Sequence, residues 1–191
     1  MTSPHSPDSV PAENLSSIPM DSAAWSGSLL NNLAKAGQDG ISMVNFIETR
    51  RIKIGFRKQN GTGAMWFLDG NIYLNANTYS LATAPTDAFM LSLVAHEALH
   101  LKQGIFTALS VYGELESWQL GFRVYQNLGG AINSPALDEL MKLPFGYDRE
   151  MLSKVRSLMQ EYAGKGYRID LLPRYPLPKE VAYFFTHKVP A

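Results

Sequence analysis

The chain has 191 residues, with 17 Lys+Arg against 17 Asp+Glu and a formal net charge of zero. Neutrality removes the long-range attraction to phosphate that nucleic-acid binding depends on. The absence of cysteine excludes disulfide frameworks, thiol nucleophiles, iron–sulfur clusters and thiolate zinc sites.

No apolar run approaches the ~20 residues of a membrane span. The first 25 residues lack the basic start and apolar core of a secretory signal. The expectation is one domain in the cytoplasm, without nucleic-acid or membrane partners and with no oligomeric state indicated. Residues 1–25 carry Pro4, Pro7, Pro11 and Pro19 among serines and read as a disordered leader. The domain proper is expected over 26–172 and an extended, Pro- and aromatic-rich arm over 173–191.

From Ser26 to Arg50, Leu29, Leu30, Leu33, Ile41, Val44 and Ile47 recur at helical steps. Gly37 and Gly40 divide this stretch into two helices, with Asp39 or its neighbour as the second cap. Ile52, Ile54 and Phe56 then alternate with polar or small residues, as in a half-buried strand. Asn60-Gly61 and Asp69-Gly70 are turn signals. They predict a meander of three short antiparallel strands, the last at Asn71–Ala76.

Thr86 and Asp87 can cap a helix from Ala88 to about Gln103, which is apolar on nearly every side and therefore buried. A second long helix is predicted over Glu114–Leu128, a third from Ser134-Pro135, and a fourth over Asp148–Tyr162. Beyond these the arm is expected to hold at most one helical turn, near Lys179–Phe185. The fold class is α+β: a small antiparallel sheet on the Ala88–Gln103 helix, followed by a mostly helical C-terminal half.

The chemistry resides in His96-Glu97-Ala98-Leu99-His100. Histidines at i and i+4 project from one helix face about 6 Å apart. That spacing lets both imidazoles reach one Zn²⁺. Glu97 follows the first ligand, where a carboxylate can take a proton from an activated water. Burying three ionisable groups in an apolar helix without a partner costs several kcal/mol. A metal removes that difficulty. With cysteine absent, the third ligand falls to a carboxylate on the next helix. Glu114 and Glu116 both qualify, and only one can face the metal.

LVAHEALHL followed by GELESWQLG resembles the gluzincin branch of HExxH zinc metallopeptidases, across residues 50–130. The resemblance implies a minimal zincin-like fold with Zn²⁺ as cofactor and a peptide or protein substrate. It implies His96 and His100 as ligands and Glu97 as general base. It favours Glu114 as third ligand, because Ser117 then falls where a small residue is usual. NIYLNANTYS resembles the edge strand that pairs with extended substrate in that group. A downstream oxyanion stabiliser is implied, with Tyr112, Tyr147, Tyr167, Tyr175 and His187 as candidates. The alternative is a non-catalytic zinc-binding or pseudo-peptidase module that acts through a protein partner.

Overall fold

The computed structural model describes residues 22–164 and 166–186. Among these the chain is α+β, with eight helices and one three-stranded sheet. No described helix is long and apolar enough to cross a membrane. The leader lies outside the described residues up to position 21, but its last residues are ordered helix. Helix α1 spans Ser22–Ala34. Trp25 is buried, and its indole N–H donates to the Thr83 carbonyl at 2.9 Å.

Helix α2, Gln38–Arg50, begins after Gly37, which has a φ of 81°. No side chain caps it. Asp39 instead pairs with Arg123 at 2.7 Å, which ties the start of α2 to a distant helix.

The sheet consists of β1 (Ile54–Arg57), β2 (Ala64–Trp66) and β3 (Ile72–Asn75). The expected antiparallel meander is only half right. β2 and β3 form the antiparallel hairpin that Asp69-Gly70 announces, but β1 pairs with β3 in parallel and the order is β1-β3-β2. The cause is Asn75. Its side-chain amide donates to the Gln59 and Thr62 carbonyls at 3.1 and 2.7 Å, and its side-chain oxygen accepts from the Gln59 N–H at 3.3 Å. These bonds staple the Asn60-Gly61 segment across the end of β3, so the chain passes over β3 instead of turning back along β1.

Helix α3 (Ala88–Gln103) is capped by Asp87, whose carboxylate accepts from the Met90 N–H at 2.7 Å. A short α4 (Ile105–Ala108) leads into α5 (Val111–Asn127), capped by Ser110. The C-terminal half adds α6 (Pro135–Leu140), α7 (Arg149–Ala163) and a 3-10 turn at Ile169–Leu171. The last element corrects the expected arm: Leu177–Thr186 is a ten-residue helix, α8. Glu180 anchors it, accepting from the Tyr175 N–H at 3.1 Å and pairing with Arg149 at 3.0 Å. Among the described residues of that arm, only the lead-in is extended. There the Pro173 and Arg174 carbonyls accept from the Val111 and Tyr112 N–H groups at 2.8 and 3.1 Å. These are first-turn donors of α5 that have no partner inside the helix.

Two apolar cores result. One joins α1, α2, the sheet and α3, with Leu120 and Val124 of α5. The other joins Val111, Leu115 and Trp118 of α5 with α6, α7 and the residues leading into α8. Helix α5 is shared, and its seam with α3 lies between the two cores. Because Trp25 is buried in the first core, α1 is an integral part of the domain. Trp25→Ala is expected to lower unfolding free energy by about 3–5 kcal/mol, read from urea titration. A loss below about 1 kcal/mol would place α1 outside the cooperative unit.

Candidate metal centre

Helices α3 and α5 run antiparallel, as their contacts descend one helix while ascending the other. Gln103 meets Gly113, His100 meets Ser117, and His96 meets Gly121. Small residues permit this approach. A Cβ on Gly121 would lie 3.1 Å from the Ser92 carbonyl oxygen and 3.4 Å from His96 Cβ. A Cβ on Gly113 would lie 2.0 Å from the Thr107 carbonyl oxygen, so only glycine allows the tight α4–α5 corner. That corner sets Glu114, in the first turn of α5, against the His face of α3.

The ligand-type atoms of His96, His100 and Glu114 all lie within 4.8 Å of one another. The two imidazole Nε2 atoms are 2.9 Å apart, and Glu114 oxygens lie 3.7 Å from that of His96 and 3.5 Å from that of His100. The donor set fits a metal ion. Two nitrogens and a carboxylate oxygen converge on one point, and among the described residues no fourth His, Asp or Glu joins the group. Glu116 is turned away: it accepts from the Tyr112 hydroxyl at 2.7 Å and from the Gln103 amide at 2.9 Å.

Outer partners hold the cluster in position. The Gln103 side-chain amide donates to the Gly113 carbonyl at 3.0 Å and to Glu116, so its oxygen faces His100 Nδ1 at 3.1 Å. His100 then donates from Nδ1 and leaves the Nε2 lone pair toward the cluster, as a metal-ligating histidine requires. Ser117 Oγ lies 3.2 Å from the same Nδ1. The Tyr167 hydroxyl donates to Glu114 at 2.5 Å and accepts from the Trp118 indole at 2.9 Å. Sequence reading did not assign a role to Gln103. Its position at i+3 from His100 was the available signal, since helical neighbours three apart share a face.

Burial and mutual charge set the electrostatics. Burial, then the neighbouring His100, push His96 down to about 3. Burial works in the same direction on His100, but the Glu114 carboxylate outweighs it and His100 ends raised. Burial alone would raise Glu114; the two imidazoles and Tyr167 instead bring it to about 2. Glu97 is 7% exposed and stands beside the cluster, accepting from the Trp66 backbone N–H at 3.0 Å. Burial raises it to about 7.

All four residues line one cavity of about 660 Å³, walled by α3, α5, the end of α7 and β2. The strand at the site is β2. Ile72–Asn75, expected to be the edge that pairs with substrate, is the central strand with both sides occupied. The Phe67 N–H and the Gly63 carbonyl point to β3, so by the two-residue alternation Ala64 and Trp66 point outward to the free edge. Of the oxyanion candidates, Tyr167 alone is brought to the cluster among the described residues. Tyr112 is held by Glu116, Tyr147 stacks on Tyr112, and Tyr175 is buried in the second core. His187 lies outside the described residues.

Two measurements on stripped protein follow from these contacts. Gln103→Leu removes the partner that orients His100, so affinity for a titrated divalent metal is expected to fall about 10–100-fold. The pH dependence separates His96 from Glu97. His96 drops from 6.5 to about 3 on folding, so its stabilisation is complete above 6.5 and is lost as pH falls toward 3. Glu97 rises from 4.5 to about 7, so its stabilisation is complete below 4.5 and is lost as pH rises through 7. Between 4.5 and 6.5 the two slopes oppose each other. Glu97→Gln removes one of them, so the metal-free variant should gain stability with pH across that window while the parent stays flatter. Urea midpoints at four pH values test this.

No family model matches the chain, and neither curated proteins nor solved structures show a significant match to it.

Proposed function

We propose that this protein is a zinc metallopeptidase, with His96, His100 and Glu114 holding the ion and Glu97 serving as general base. One observation carries the reading. A buried carboxylate with no ion-pair partner among the described residues lines the same cavity as a three-ligand cluster, beside an edge strand. Two histidines and one carboxylate suit Zn²⁺, and three protein ligands leave a position for water. Bound there, the ion would polarise the scissile carbonyl and acidify a water.

The remaining work belongs to the chain's own residues. Glu97 accepts the proton of the attacking water and returns it to the leaving amine. The C–N bond breaks, giving a carboxylate and an amine. A group titrating near 7 suits both transfers at neutral pH. Tyr167 acts as a positioning residue, fixing the Glu114 carboxylate through its hydroxyl. Strand β2 is the edge strand that lines the cavity, where an extended substrate would lie.

A purely structural zinc site is the second reading. It prefers a closed shell of four protein ligands, and the cluster offers three among the described residues. It also leaves Glu97 without a task.

The test joins metal content to casein cleavage. The parent should bind about one zinc per chain and cleave casein. Glu97→Gln should keep the zinc and lose at least about 100-fold in rate. Glu114→Ala should lose zinc and activity together, whereas Glu116→Ala should keep both. A zinc-loaded parent that is inert toward casein and toward mixed peptides would favour the structural site.

A further inference from the structure

Helix α8 reverses the pattern of an ordinary surface helix, which turns its apolar stripe inward and its charges to water. Its one buried residue is Glu180. Leu177, Val181, Phe184 and Phe185 stand at i, i+4, i+7 and i+8 and so share one face, which points outward. Beside that stripe lies a groove of about 530 Å³, lined by Ile105 and Phe106 of α4 and by Pro178 and Lys179 of α8. Among the described residues, the four stripe side chains and the two from α4 are between 42% and 75% exposed.

The area indicates what such a surface meets. The three phenylalanines alone leave about 400 Å² of ring surface in water, and the three aliphatic side chains bring the patch to roughly 500 Å². A standard interface buries about 800 Å² per partner, about two-thirds of it apolar in homodimers. The patch therefore supplies the apolar share of a homodimer interface.

Charge points to the same occupant. Lys179 and Glu180 are the only charged residues of α8, and both are engaged within the chain. Lys179 Nζ lies 3.2 Å from the centre of the Tyr147 ring, and Glu180 pairs with Arg149 at 3.0 Å. Two identical stripes can thus meet without opposing free like charges. A membrane-surface helix carries several basic residues along its polar face, and α8 has one lysine, already stacked on a ring.

We infer that this face pairs two copies of the chain, with the ridge of Val181, Phe184 and Phe185 of one copy seated in the α4–α8 groove of the other. Ridge and groove lie side by side on one surface, so a twofold axis satisfies both at once and the assembly closes at two chains. Gln103, whose side-chain oxygen faces His100 Nδ1, also lines the groove. Pairing there covers an outer partner of the metal centre.

Sedimentation equilibrium of the full chain, stripped of metal, reads the pairing without reference to zinc or to cleavage. A dimer is expected between about 1 and 100 μM. Phe185→Asp on the ridge and Phe106→Asp in the groove should each weaken it at least about thirtyfold. Leu81→Asp, on the exposed loop before α3 at the end of that helix away from the groove, should leave it unchanged. Circular dichroism confirms that each variant folds. A chain that stays monomeric at about 100 μM overturns the pairing, as does a dimer that survives either the ridge or the groove substitution. A dimer that Leu81→Asp breaks equally, or assembly beyond two chains, overturns it as well. A monomer that binds vesicles of anionic lipid assigns the stripe to a membrane surface and has the same effect.

Discussion

Two imidazole nitrogens, 2.9 Å apart inside a helix–helix seam, are the constraint around which this structure is arranged. Bringing two histidines and a glutamate out of water costs several kcal/mol unless each is paired. The chain meets that cost with neighbours from separate segments. Glu114 comes from α5, Gln103 from the end of α3, and Tyr167 from the connection after α7. The residues 173–174 that lead into α8 hold the first turn of α5, from which Glu114 projects. The C-terminal segment is thus part of the site's support. Even the two cores serve it, because each packs against a different face of α5 and so fixes the helix that delivers the carboxylate.

The parts of the fold that sequence reveals are those governed by local periodicity. The buried helix with His96, Glu97 and His100 is legible because apolar residues surround it, and its cap at Asp87 is a local signal. The hairpin at Asp69-Gly70 is legible because turn chemistry is local. Strand order is not. β1 alternates in the same way whether it pairs with β2 or β3, and the deciding residue, Asn75, acts on carbonyls 13 and 16 positions away. Helix α8 is missed for a related reason: its prolines lie in and just before the first turn, where they are tolerated, and Glu180 is its buried anchor, the reverse of the usual pattern. Start positions misled as well, since residues 22–25 read as the end of a Ser/Pro-rich leader but open helix α1.

The site follows the same division. The histidine pair is visible in the spacing, while the choice between Glu114 and Glu116 is a question of which way α5 is rotated. That rotation is set by Gly121, which lets α5 approach α3, and by Gly113, which allows the tight α4–α5 corner. Once α5 sits so, Glu116 is carried to Gln103 and Tyr112, and its charge helps to orient the Gln103 amide. Glu114 and Glu116 therefore hold complementary positions: one faces the cluster, and the other fixes the group that sets the tautomer of His100.

The same coupling links the sheet to the seam. The Trp66 N–H, which points off the free edge of β2, is already taken by Glu97. One strand thus fixes the carboxylate of the buried helix. The strap of bonds from Asn75 to the 59–62 segment stiffens the start of β2. The same strand carries the Trp66 N–H that bonds the Glu97 carboxylate 31 residues away.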